Sequence, residues 1–285
     1  MTDMNYIRAR DLDHALNFLS QNGPDTEILA GGTDVMVDLR AGELDRKKNL
    51  LDISRIDELN RIDFSDGKLS IGAGVTLSRI STSDLIQQHA PALTACSKTF
   101  AGKQIRNKAT IGGNVAHASP CGDTIPPLVI HDAHALVATR TRQKLVPVET
   151  IASGPYQSAL PPDAVIVKFV LPPCTAPFSD FQKIGRRKEV AISRMSLAVM
   201  ADTDAAGRIS FIRIGLGACT PTPHRMDRIE DFLMHKVPTR QSIWDAGKLL
   251  SQKMIEITGR RSSIIYKEPA VQGLFMRILY PMVSS

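Results

Sequence analysis

Thr26-Glu27-Ile28-Leu29-Ala30-Gly31-Gly32-Thr33-Asp34-Val35-Met36 is the stretch on which the reading of the fold turns. Its first five residues read as a short buried strand, and Gly31-Gly32 breaks it. Thr33 is placed to cap a following helix whose apolar face is Val35, Met36 and Leu39. Glycines let a backbone approach an anion closely, and successive N–H groups at a helix start can cradle a diphosphate. Taken alone, the motif reads as a tight strand-to-helix turn.

A second loop changes that reading. Thr110-Ile111-Gly112-Gly113-Asn114 again sets two glycines among small polar groups, and leads through Ala116-His117-Ala118-Ser119-Pro120 to Gly122-Asp123. Two such loops suggest one dinucleotide held from two sides. The G-x-G-x-x-G fingerprint is absent, because Gly72-Ala73-Gly74 continues with Val75-Thr76-Leu77. A Rossmann fold is therefore disfavoured.

Outward from the loops, Asp11 or Asp13 caps a helix carrying Ala15, Leu16, Phe18 and Leu19, which ends near Asn22-Gly23-Pro24. Strands are predicted at 50–53, 68–73, 135–139 and 164–171, and a helix at 91–96. Asp123 is placed to cap a helix from Thr124, since Pro126 and Pro127 fall in a first turn where a missing N–H costs little. A break follows at Leu171-Pro172-Pro173; strands with an intervening helix or turn span 181–219, and a helix spans 240–258. The division expected is 1–175, itself lobes of about 1–57 and 58–175, and a smaller α+β domain at 176–285.

At 285 residues, with 43% hydrophobic and 22% charged side chains, the chain has an ordinary globular composition. The net charge of +6 suits a phosphate-bearing ligand or an acidic partner as well as nucleic acid. Aromatic residues, at 5%, do not interleave with the basic clusters, which argues against a nucleic-acid stacking platform. Cys96, Cys121, Cys174 and Cys219 contain no C-x-x-C pair, so they read as reduced thiols rather than a zinc or iron–sulfur site. With no signal peptide at Met1-Thr2-Asp3 and no apolar run of membrane-spanning length, a cytoplasmic location is expected.

Ala30-Gly31-Gly32-Thr33-Asp34, Phe100-Ala101-Gly102-Lys103-Gln104-Ile105-Arg106-Asn107 and Thr110-Ile111-Gly112-Gly113-Asn114-Val115, with Ser119-Pro120 and Asp123, resemble the flavin domain of the molybdenum hydroxylases. That family includes xanthine dehydrogenase and carbon monoxide dehydrogenase. Phe181 to Arg187, Ala191-Ile192, Arg261-Ser262-Ser263 and Tyr266-Lys267 resemble its C-terminal flavoprotein domain. The resemblance implies an α+β chain: an FAD-binding fold of the vanillyl-alcohol oxidase type, in two α/β lobes, then the small α+β domain. It implies FAD contacts from Leu29, Ala30, Gly31, Gly32, Thr33, Asp34 and Val35, with Thr110, Gly113, Asn114, His117 and Ser119 from the second lobe. Phe100 would pack on the adenine, Asp123 would bond a ribose or its neighbours, Ile166 would line the site, and Lys183 would reach it from the third domain. Implied partners are an iron–sulfur subunit and a molybdopterin-binding large subunit in a heterotrimer, with NAD or another compound as electron acceptor.

Several residues carry a second reading. Asp123 suits a helix cap as well as a ligand contact, Phe100 suits a core, and His117 stands where relatives often have Asn or Thr. His131 and His134 read as surface histidines, Cys121 as an inert thiol, and Pro269 as a reason for the last helix to start late. Two other functions compete: a stand-alone FAD-dependent oxidase or dehydrogenase, and a non-catalytic module for a phosphorylated ligand.

Overall fold

A computed structural model describes residues 4–173, 175–187 and 191–283. Cys174, Lys188 and the first three residues, on which the thiol, charge and leader readings partly rest, lie outside the described residues.

The chain begins with β1 (Asn5–Arg8), α1 (Leu12–Asn22), β2 (Thr26–Leu29), α2 (Val35–Ala41) and β3 (Asn49–Asp52), and its strands form a parallel sheet in the order β1-β3-β2. Asp11 caps α1 by accepting the His14 N–H at 2.7 Å. Leu12, Ala15, Leu16 and Leu19 recur at helical spacing and form its buried face.

Next come β4 (Ile62–Ser65), β5 (Lys68–Gly72) and the helices α3 (Leu77–Thr82), α4 (Asp84–His89), α5 (Pro91–Thr99), α6 (Lys103–Arg106), α7 (Ile111–Ala116) and α8 (Ile125–Ile130). β6 (His134–Ala138), β7 (Gln143–Pro147), the small hairpin β8 (Ala152–Gly154) and β9 (Gln157–Ser158), and β10 (Val165–Leu171) complete this lobe. Its sheet is antiparallel, in the order β4-β5-β10-β6-β7. β10 is apolar nearly throughout because both faces are buried. Val165 and Val167 pack with Leu16, Leu19 and Leu51 of the first lobe, while Ile166, Phe169 and Leu171 join the second lobe's own core. A bulge between Ile166 and Lys168 shifts the alternation, so Phe169 lands on the face of Ile166. The two lobes thus share one central strand.

The remainder is an antiparallel sheet, β11 (Phe178–Gly185), β12 (Ser193–Thr203), β13 (Ile209–Gly217) and β14 (His224–Arg225), with α9 (Asp227–Leu233), α10 (Arg240–Thr258) and α11 (Ile264–Leu279). Along β12, Met195, Leu197, Val199 and Ala201 face α10 and α11, and Ala198 and Met200 face α5 and α8 with Phe181. Within 181–219 the described residues give the expected strands, and the intervening element is a turn between β12 and β13, where the Gly207 N–H donates to the Asp204 carbonyl at 2.9 Å. The last helix starts at Ile264 and runs through Pro269 instead of starting late. Proline withdraws only the bond to the Ile265 carbonyl, and that residue is 86% exposed, while Val271, Leu274, Phe275 and Ile278 hold the helix in the core.

Both expected loop caps are absent. The N-cap of α2 is Asp34, whose side chain makes no capping bond, and the Thr33 hydroxyl donates to the Asp34 carboxylate at 3.4 Å. Helix α8 starts at Ile125 after Thr124, because the Asp123 carboxylate is engaged elsewhere.

His131 is also not a surface residue. It is 2% exposed, at the end of α8 near Arg213 of β13, and neither ring nitrogen has a partner among the described residues. Burial, aided by the Arg213 charge, lowers its pKa from 6.5 to about 4. The unfolded chain therefore binds the extra proton first as pH falls. Between pH 6.5 and about 4 the protein should lose roughly 3 kcal/mol of stability through this residue alone. Denaturant titrations across that range on the wild type and on His131→Leu would check it, since the variant should lack that component. Equal pH dependence in the two proteins would refute the assignment.

Candidate functional site

A cavity of about 870 Å³ opens between the two lobes. Leu29, Ala30, Gly31, Gly32, Thr33, Asp34 and Val35 line it from the first lobe. Phe100, Thr110, Gly113, Asn114, His117 and Ile166 line it from the second. Ser119, Asp123 and Lys183 do not.

The two glycine pairs do different work. In the first loop, the backbone N–H groups from Ala30 to Val35 have no acceptor among the described residues, and Gly32 turns the chain through a φ of +73°. Successive unpaired N–H groups around a left-handed residue form an anion-binding concavity. Gly31 is needed for another reason: a Cβ there would stand 2.1 Å from the Lys108 carbonyl oxygen and 3.0 Å from the Ala109 Cα. The first loop is thus pressed directly against the backbone of the second lobe.

In the second loop the amides are already used. Ile111 N–H donates to the Val75 carbonyl at 3.0 Å, Gly112 N–H to the Ala73 carbonyl at 2.8 Å, and Gly113 N–H to the Thr110 hydroxyl at 3.1 Å. Gly112 lets α7 seat on the end of β5, since a Cβ would fall 2.6 Å from that of Ala73. This loop therefore offers close approach and side chains, not a second cradle of N–H groups. Asn114 accepts from the Thr124 N–H and hydroxyl through Oδ1, at 3.3 and 2.7 Å. That fixes its side chain in the cavity wall.

His117 Nε2 lies 3.8 Å from Asp34 Oδ1, bringing the two lobes together at the wall, and its ring meets Tyr156 edge-on with centroids 5.2 Å apart. Phe100 is half-buried; it packs on the second lobe's core and also lines the cavity. Its two readings are therefore compatible.

Asp123 and Lys183 form a closed pair outside the cavity. Lys183 Nζ donates to Asp123 Oδ2 at 2.7 Å and to the Ala191 carbonyl at 3.3 Å, and Ser193 Oγ donates to Asp123 Oδ1 at 2.5 Å. Their side chains are 5% and 11% exposed. Burial raises the Asp123 pKa, offset in part by the Lys183 charge and both hydrogen bonds. Both side chains tie the second lobe to β11 and β12. Ser119 is likewise occupied locally, its hydroxyl accepting the Cys121 N–H at 3.3 Å.

Sequence reasoning missed Glu27, Lys47, Arg55, Asn60 and Lys108, which also line the cavity. Glu27 left a trace as a charged residue inside an otherwise buried strand pattern, and Lys47 as part of the basic run Arg46-Lys47-Lys48. No helix among the described residues is long and apolar enough to cross a membrane.

Residues 2–174 match the family described as the FAD binding domain in molybdopterin dehydrogenase, and residues 180–282 match the CO dehydrogenase flavoprotein C-terminal domain. Among curated relatives, the chain is 30% identical to the xanthine dehydrogenase FAD-binding subunit of Escherichia coli O157:H7, covering 98% of this chain and 96% of that one. It is 26% identical to the nicotinate dehydrogenase FAD-subunit of Eubacterium barkeri, covering 100% and 97%. In fold it resembles a chain of carbon monoxide dehydrogenase from Hydrogenophaga pseudoflava, with a TM-score of 0.90, 24% identity, and coverage of 99% and 98%.

Proposed function

The chain belongs to the family of FAD-binding domains of molybdopterin dehydrogenases, and on that premise we propose that it is the electron-transfer subunit of a multi-subunit molybdenum hydroxylase, with FAD seated in the interlobe cavity. The observation that carries the placement is the run of unpaired N–H groups from Ala30 to Val35 in the wall of that cavity. The residues present fit the cofactor. A volume of about 870 Å³ lies at the upper end of ligand sites, and the N–H concavity suits a diphosphate.

FAD, when bound, supplies the redox chemistry, so no nucleophile or general acid is required of this chain. Its residues bind, orient and exclude water. Gly32, Thr33 and Asp34 would hold the diphosphate through backbone N–H groups. Thr110, Gly113 and Asn114 would close on it from α7, Phe100 would offer an aromatic face to a ring, and Ile166 and Leu29 would keep the wall dry. Asp123 and Lys183 would act at a distance by fixing the third domain, since each already satisfies the other.

The chain spans 96% of a relative that is itself named an FAD-binding subunit, which supports the same division of labour here. Electrons would then arrive from iron–sulfur clusters on one partner, fed by a molybdopterin centre on a large subunit, and leave for NAD or another acceptor.

The visible spectrum of the purified chain tests the reading. The two absorption bands of a protein-bound flavin, with FAD released on denaturation, are expected. A folded, colourless protein that fails to take up added FAD would overturn it.

A further inference from the structure

Glu27 lies in the cavity wall on β2, and its carboxylate has no hydrogen-bond or ion-pair partner among the described residues. Of the cations on the same wall, Lys47 is the one that acts on Glu27, and it is committed elsewhere: its ammonium donates to the carbonyls of Pro24 at 3.0 Å and Thr26 at 3.1 Å. Asp38 on α2 and His117, at the C-terminal cap of α7, are the other charged or titratable groups that act on it. Burial raises its pKa, with Asp38 acting in the same direction and Lys47 and His117 opposing. An unpaired carboxylate in a partly desolvated wall weakens the empty protein, so it calls for an explanation.

An ionised carboxylate only accepts hydrogen bonds, so the missing group is a donor. Its position narrows the choice. Strand residues advance by about 3.3 Å, which sets Glu27 on the order of 10 Å from the N–H groups that begin at Ala30. The uncharged donors that flank a dinucleotide's diphosphate over such distances are sugar hydroxyls, of the ribose on one side and the ribityl chain on the other. We propose that Glu27 accepts hydrogen bonds from vicinal sugar hydroxyls beside the diphosphate, and so selects a ligand with those hydroxyls free. This rests on the placement of FAD in the cavity. A phosphate on either hydroxyl would set like charges together and be rejected.

The test uses the full chain freed of flavin, as wild type and Glu27→Gln, titrated with FAD, ADP and FMN, together with the melting temperature of each unliganded protein. Glu27→Gln should bind FAD about ten- to a hundredfold more weakly, the usual worth of hydrogen bonds to a charged group. Its unliganded melting temperature should equal or exceed that of the wild type, because a desolvated charge has been removed. A parallel loss with ADP assigns the ribose, and a parallel loss with FMN assigns the ribityl chain; either supports the proposal. It is overturned if FAD affinity stays within about twofold of the wild type, if neither fragment shares the loss, or if the melting temperature falls with the affinity. A wild type that binds no FAD would instead remove the flavin reading on which this one stands.

Discussion

Gly31→Ala opens the seam between the two lobes, lowers stability by about 3 kcal/mol or more, and abolishes retention of FAD through purification. The new Cβ would sit 2.1 Å from the Lys108 carbonyl oxygen, 2.9 Å from its carbon and 3.0 Å from the Ala109 Cα. All three are backbone atoms, so no side-chain rotation relieves the contact. Relief requires the Ala30–Val35 loop to withdraw from the second lobe, and that loop carries the unpaired N–H groups. One methyl group is thus converted into a displaced anion cradle.

Gly113→Ala is the control. It adds the same methyl group on the opposite wall, but the only close neighbour among the described residues is the Thr110 hydroxyl at 3.0 Å, a side-chain atom whose cap bond to the Gly113 N–H is all that has to give. A loss of about 1 kcal/mol or less is expected there, and any drop in FAD affinity should come without a large change in melting temperature. Thermal melts and flavin-to-protein absorbance ratios on both variants read this directly. Equal stability of Gly31→Ala and the wild type would mean that the lobes do not close on each other as described.

The contrast between the glycines shows what the sequence could and could not convey. Local pattern was enough for β10, whose apolar run marks a strand buried on both faces, and for α1, where Asp11 precedes Leu12, Ala15, Leu16 and Leu19. The glycine motifs located both cavity walls. Their different work was hidden, because Ile111 and Gly112 give their N–H groups to Val75 and Ala73, partners tens of residues upstream. Asp123 misled for the same reason. Its sequence neighbours suit a helix cap, but its carboxylate finds Lys183 and Ser193, 60 and 70 positions away, and a charged pair outweighs a cap. His131 reads as polar and hence exposed, and only the packing of α8 on β13 buries it.

Lys183→Met should cost about 3–5 kcal/mol at neutral pH, because it strands a buried carboxylate. Asp123 would keep the Ser193 hydroxyl at 2.5 Å and lose its only cation among the described residues. Its pKa is already raised by burial with the ammonium in place, and removing that charge pushes it further up. The sign of the pH dependence follows. In the unfolded chain Asp ionises near the ordinary value, so the folded variant holds more protons between that value and its own raised one. Stability therefore falls as pH rises through this window, and the deficit relative to wild type is smaller at pH 5 than at pH 8. The reverse dependence, or a loss below about 1 kcal/mol, would mean the pair is as solvent-screened as a surface one. Replacing both partners, Asp123→Leu with Lys183→Met, should recover most of the loss, since an apolar pair of similar volume avoids the desolvation that raises Asp123 in the first place. Because neither side chain lines the cavity, the double variant should also still bind FAD. If it folds and cannot, Asp123 or Lys183 acts on the cofactor beyond fastening the third domain.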